Sequence, residues 1–123
     1  MDGNEGALAH ALELLEPLGP VTSKRMFGGH GIFLHERMFA LIASEQLYLK
    51  VDDMTRPHFE EEGCAPFTYG RKTGQIRIPS YMTAPDDALE SPEAMHPWAG
   101  LAIEAAMRAG KKGRKAANSK IKS

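Results

Sequence analysis

Between residues 5 and 16 apolar side chains return every three or four positions, with Leu8, Leu12 and Leu15 on one stripe and Ala11 beside it. That spacing predicts an amphipathic helix. Pro17, Gly19 and Pro20 end it, because proline cannot continue the hydrogen-bond ladder and glycine frees the backbone. From Lys24 to Val51 the period changes. KRMFG, HGIFLH, MFALIA and QLYLKV are short apolar runs, broken at Gly28-Gly29, His35-Glu36 and Ser44-Glu45. Breaks this short join antiparallel strands, since parallel neighbours need a long crossover. The segment therefore predicts a meander of three or four strands.

Asp52 and Asp53 then offer a helix cap, Pro57 suits a first turn, Phe59 supplies a buried face and Gly63 closes a short second helix. APFTYG and QIRIPS predict a second hairpin turning near Arg71-Lys72-Thr73-Gly74. Ser91-Pro92-Glu93 reads as a cap, a first-turn proline and an early acid. From there Met95, Trp98, Ala99, Ala102, Ala106 and Met107 hold helical spacing up to Gly110, with Pro97 disturbing the first turns. The order α-β(3–4)-α-β(2)-α predicts an α+β domain of two layers, an antiparallel sheet with helices mainly on one face. Residues 1–109 form the domain, and residues 110–123, too polar to pack, are expected as a basic disordered tail.

If His35-Glu36 and Ser44-Glu45 are the centres of two-residue turns, opposed residues share a face. One face then carries Phe33, Met38, Ala40, Ile42, Leu47, Leu49 and Val51, the natural core against the helices. The other carries Ile32, Leu34, Phe39, Leu41, Tyr48 and Lys50, far more apolar than a solvated sheet face should be. Either the chain covers that side itself or a partner does, as a homodimer or as another protein. Ile32, Phe39, Leu41, Tyr48 and Lys50 are the candidate interface. A one-residue bulge would exchange the faces.

Length and composition fit one ordinary globular domain: 123 residues, 42% hydrophobic and 25% charged. The net charge of −1 hides an asymmetry. Residues 1–107 hold all 16 acidic side chains and 8 of the 15 basic ones, a net of −8, and the remaining 7 basic residues follow without an acid. No stretch is long and apolar enough for a membrane helix, and Asp2-Gly3-Asn4-Glu5 is unlike a secretory leader, so a cytoplasmic location is expected. The lone Cys64 cannot form an internal disulfide and reads as a packing residue.

Candidate chemistry is sparse. His30 and His35 fall on opposite faces of one strand, and His10, His58 and His96 have no second ligand at helical spacing, so no metal is expected. Gly28-Gly29-His30-Gly31 lacks the Lys-Ser/Thr ending of a phosphate loop and reads as backbone geometry. No serine, nor Cys64, stands in a nucleophile motif, and Glu60-Glu61-Glu62 reads as a solvated helix end. The expectation is a protein that is not an enzyme and needs no cofactor. Nucleic-acid contact has a charge-pattern argument, because tail residues Arg108, Lys111, Lys112, Arg114 and Lys115 can release counterions from phosphates. Arg25 with Arg71 and Lys72 could add a patch. The acidic body opposes both.

Arg25-Met26-Phe27-Gly28-Gly29-His30-Gly31, then Phe39-Ala40-Leu41-Ile42-Ala43, then Leu47-Tyr48-Leu49-Lys50-Val51-Asp52 resembles the N-terminal domain of the TfoX/Sxy family. Pro66-Phe67-Thr68-Tyr69, Ser80-Tyr81 with Pro85, and Trp98-Ala99 with Ala102 and Ala106 continue the pattern in order, over roughly residues 10–109. The resemblance implies a fold similar to type III secretion chaperone-like α+β domains. It also implies a bacterial regulator of competence and transcription that acts through protein contact, with no catalytic residues, cofactor or metal. Competence regulators of the family add a helical C-terminal domain, where this chain has its basic segment. His35-Glu36 stands where relatives tend to carry Asp-Gly. A regulatory or adaptor domain is thus the leading expectation, and a small nucleic-acid-binding protein using its tail is the alternative.

Overall fold

A computed structural model describes residues 4–26, 28–71 and 74–122; the side chains of residues 69–71, 75, 76 and 110–122 lie outside that description. Helix α1 (Asn4–Leu15) runs into a 3-10 turn at Glu16–Leu18 and leads to strands β1 (Thr22–Met26), β2 (Gly29–Leu34), β3 (Arg37–Ala43) and β4 (Gln46–Lys50). Helix α2 (Arg56–Glu61), strands β5 (Pro66–Arg71) and β6 (Gly74–Thr83), a 3-10 turn at Asp86–Glu90 and helix α3 (Pro92–Lys122) follow. Among the described residues the six strands form one antiparallel sheet in the order β1-β2-β3-β4-β6-β5. The second hairpin thus joins the meander through β6, alongside β4. The α+β class and the element order agree with the sequence reading.

Local chemistry accounts for the element ends. Ser91 caps α3 as expected, its Oγ accepting from the Ala94 N–H at 3.1 Å, with Pro92 at the first helical position. Pro97 lies inside that helix, which begins five residues ahead of it at Pro92. The backbone of α3 also continues through 110–122, the segment expected as a tail. Two of the meander turns are two-residue turns, at His35-Glu36 (φ 51° and 65°) and Ser44-Glu45 (φ 51° and 62°). Positive φ at both central positions is the type I′ geometry that follows the twist of a hairpin, adopted here without glycine. Asn4, buried at the start of α1, holds this end of the meander. Its Oδ1 accepts from the Glu45 N–H at 2.7 Å and its Nδ2 donates to the Gly28 carbonyl at 3.0 Å.

The core lies between one sheet face and the helices. Ala11, Leu14 and Leu15 of α1, Met95, Ala99, Ala102 and Ala106 of α3, and Phe59 of α2 pack against Ile32, Ala40, Ile42, Leu47, Leu49 and Met82. Each large side chain buried in this way contributes roughly 1.5–3 kcal/mol. The alanines of α3 form its sheet-facing stripe and let its backbone approach closely. Phe59 meets Trp98 edge-to-face at 5.0 Å, which docks α2 on α3. The buried stripe of α1 centres on Ala11, Leu14 and Leu15, leaving Leu8 and Leu12 half-buried at its margin.

The sheet register shifts at two places, between Pro66 and Phe67 where β5 pairs with β6, and between Ile32 and Phe33 where β2 pairs with β3. Across β2 and β3, Ile32 pairs with Ala40 while Phe33 pairs with Met38, so Phe39 is an extra residue on β3. This bulge makes Phe39 and Ala40 both turn inward, each fully buried. Phe39 meets the helix layer beside Leu34, Ile103 and Ala106. Ile32 and Phe39, expected at a partner interface, are therefore core residues, as is Leu34. Phe33 and Met38, expected in the core, stand half-buried on the opposite face. The alternation of β4 and of the second half of β3 is as expected.

Candidate functional site

The face that the helices leave open carries Met26, Phe33, Met38, Leu41, Tyr48, Lys50, Phe67, Ile78 and Tyr81, and most of these are half-buried. Met26 belongs to one edge strand, whereas Phe67 and Ile78 belong to the hairpin at the other edge. In a flat sheet β1 and β6 would stand roughly 19 Å apart, at about 4.8 Å per strand spacing. Here Met26, Met38, Leu41, Phe67, Ile78 and Tyr81 line one cavity of ≈ 180 Å³. The sheet therefore curls its two edges towards each other over the open side, and the bulge at Phe39 adds local bend. Gly31 makes room for this lining, since a Cβ there would meet Met38 Sδ at 2.9 Å and Met26 Cε at 3.0 Å. Two methionines in the lining give it an adaptable surface.

His30 and Tyr81 bring polar groups to this lining, and Lys24, Tyr48 and Lys50 stand on the same sheet face outside it. Tyr81 is largely buried and donates its hydroxyl to the Met38 carbonyl at 3.3 Å; burial pushes its pKa up to about 12. Lys50 lays its ammonium 5.0 Å from the Tyr81 ring centroid, and Lys24 stands 5.9 Å from that of Phe33. Burial lowers the pKa of Lys50, with the Asp52 charge acting the other way. Tyr48 packs edge-to-face on Phe67 at 4.8 Å, and its phenol is pushed up by burial. Of the five expected interface residues, the structure gathers Leu41, Tyr48 and Lys50 here. The residues that sequence reasoning assigned elsewhere or missed are Phe33, Met38, Met26, Phe67, Ile78 and Tyr81.

A second concavity, of ≈ 470 Å³, lies where α2, the end of β4 and α3 meet, lined by Lys50, Asp52, Asp53, Met54, Arg56 and Arg108 among others. Its charges are largely satisfied from within. Arg108 donates to both oxygens of Asp52, Nε to Oδ2 at 2.6 Å and Nη2 to Oδ1 at 3.1 Å. Asp52 Oδ1 also accepts from the Met54 and Thr55 N–H groups, which orders the turn into α2. The Arg108 guanidinium holds the Asp52 carboxyl down at about 2. Arg56 pairs with Asp53 at 3.0 Å and donates to the Pro79 carbonyl at 3.3 Å. Arg108, expected to serve the basic tail, is thus a clamp between α3 and the β4–α2 connection.

The other candidates are less gathered. Arg25 lies on the exposed edge strand β1. Arg71 ends the opposite edge strand with its side chain outside the described residues, and Lys72 lies outside them altogether, as do the side chains of Lys111, Lys112, Arg114 and Lys115. His10, His58, His96 and Glu60-Glu61-Glu62 are exposed. Cys64 is half-buried, and burial pushes its thiol up. Among the described residues no group of three or more His, Cys, Asp or Glu could hold a metal ion. None of the described helices is long and apolar enough to cross a membrane.

The sequence is similar to DNA transformation protein TfoX1 of Aliivibrio fischeri, at 36% identity over 59 residues, covering 48% of this chain and 28% of that protein. It is also similar to DNA transformation protein TfoX of Haemophilus influenzae, at 32% identity over 80 residues, covering 63% of this chain and 37% of that protein. The chain spans about a third of the length of these relatives. The TfoX N-terminal domain profile matches residues 13–106, from the last turn of α1 to the core-facing part of α3, and takes in the whole sheet with its open face. On that match this chain belongs to the TfoX N-terminal domain family.

Proposed function

We propose that this chain is a regulatory or adaptor domain, without catalysis of its own, that works by protein contact through the open face of its sheet. Its setting is the DNA transformation for which both relatives are named. One observation carries the reading. The curled face presents a continuous apolar floor and a ≈ 180 Å³ cavity on the side away from the helices, where a solvated sheet would alternate to polar residues. Leu41 lines that cavity at the centre of the face, between Gly31 and Tyr48 in register.

Leu41→Glu places a charge in the cavity while leaving the helix-side core intact. With a melting temperature within a few degrees of the wild type, this variant is expected to lower the transformation frequency of the native host to that of a strain lacking the gene. A gene deletion without effect on transformation refutes the setting. A deletion that abolishes transformation while Leu41→Glu supports it fully refutes the open face as the contact. The alternative, a nucleic-acid-binding protein using Lys111, Lys112, Arg114 and Lys115, rests on the sequence alone. Removing 110–123 without loss of duplex affinity would rule it out.

A further inference from the structure

Charge in this domain is sorted by layer. Among the described residues no Asp or Glu falls within the six strands; the acids there lie in helices, turns and connections. The strands carry Lys24, Arg25, Arg37, Lys50, Arg71 and Arg77. A body whose net charge over residues 1–107 is −8 thus owes its acidity to the helix layer and the loops, and the sheet is cationic. On the open face, Lys24 and Lys50 flank the apolar floor on β1 and β4, and the strand residues there include no carboxylate. Both lysines lie over rings, at 5.9 Å and 5.0 Å, which sets their ammonium groups beside the floor, Lys50 half-buried and Lys24 exposed.

We infer that the open face recognises an acidic protein segment whose apolar or aromatic side chain enters the cavity while its flanking carboxylates meet Lys24 and Lys50. This deepens the reading of that face as a protein contact and rests on it. The cavity suits such an anchor, because an apolar space of ~150 Å³ already accommodates a benzene ring and this one measures ≈ 180 Å³. A second copy of the chain fits poorly. A two-fold contact would set the same lysine-bearing patch against itself, where the strand residues offer no carboxylate and Glu36 and Asp52, beside Lys24 and Lys50, lie outside the strands. Nucleic acid fits poorly as well, since base stacking needs free ring faces. Lys24 and Lys50 lie over Phe33 and Tyr81, Tyr48 and Phe67 pack on each other, and Tyr81 is only 8% exposed.

The test titrates the isotope-labelled full chain with three synthetic hexapeptides, each with a central Leu-Phe pair flanked on both sides by two glutamates, two lysines or two serines. Amide shifts should centre on Leu41, Tyr48, Lys50 and Phe67. At low salt the glutamate peptide should bind about tenfold tighter than the lysine peptide, as two exposed ion pairs allow. The gap should narrow sharply at 0.5 M salt, where screening shortens to a few ångströms. Lys24→Glu, at an exposed position, should remove most of the preference, and Lys50→Gln should reduce it. Equal binding of the three peptides on this face overturns the charge inference and leaves the protein-contact reading standing. Shifts confined to the helix side, or no shift with any peptide, overturn both. Self-association that covers Leu41, or a single-stranded oligonucleotide that outcompetes the glutamate peptide there, overturns the acidic-segment inference.

Discussion

Asp52→Asn tests how far the domain depends on the clamp between the β4–α2 connection and α3. The substitution removes the charge that answers Arg108 but keeps an oxygen able to accept from the Met54 and Thr55 N–H groups, so the turn into α2 survives. The folded Asp52 carboxyl titrates at about 2 against an ordinary 3.8. That difference corresponds to roughly 2.4 kcal/mol if fully expressed. The side chains are 27% and 34% exposed, and solvent screening brings the expected loss to about 1–2 kcal/mol. Because the folded pKa is depressed, the stabilisation is complete above the unfolded value near 3.8 and is lost as pH falls through about 2. Urea unfolding of both proteins should therefore show the gap at pH 7, nearly the same gap at pH 5, and a narrowing between pH 4 and pH 2. Comparing the two chains cancels the other carboxylates, which titrate in both. A double variant with Arg108→Gln should cost little more than Asp52→Asn alone. A gap below ~0.5 kcal/mol at pH 7, or one of constant size from pH 5 to pH 2, would refute the clamp.

Three further outcomes follow from the backbone and the register. Glu36→Gly relieves a left-handed conformation at φ 65° and should stabilise by about 0.5–1 kcal/mol in urea, the wild-type residue being the strained one. Gly29→Ala would set a Cβ 1.9 Å from the Ile42 carbonyl oxygen and should abolish the cooperative thermal transition, whereas Gly6→Ala, in α1 with open space around it, should raise the melting temperature slightly. Phe39→Ala should cost about 3–5 kcal/mol, as for a fully buried aromatic. Leu41→Ala, on the open face, should cost clearly less, and equal losses would contradict the bulge.

Element types and turns were legible in the chain because their causes are local. Two-residue turns at His35-Glu36 and Ser44-Glu45 follow from where the apolar runs break, and the Ser91 cap follows from a serine before Pro92. The faces were only half legible. Alternation places Leu41, Tyr48 and Lys50 correctly, since β4 and the second half of β3 pair without interruption. It misplaces Ile32 and Phe39, because one extra residue between Met38 and Ala40 inverts the count. Nothing in MFALIA marks that residue: Phe39 satisfies a strand period on either side. It turns inward because the helix layer offers it a buried position beside Ile103 and Ala106, which belong to a helix more than sixty residues away in the chain.

The sequence by itself determined the α+β class, the order of elements, the family pattern across residues 13–106 and the presence of more apolar strand residues than one core face can take. Those are properties of period, punctuation and residue type, each readable within a few positions. The tertiary structure alone decided which apolar residues remain outside, how the curled sheet brings Met26 and Ile78 to one cavity, that Arg108 answers Asp52 across 56 residues, and that the acids sort away from the strands. Each depends on residues distant in the chain or on where strands begin and end. The open face is the product of both: local pattern made it apolar, and the bulge and the packing of α3 chose its members.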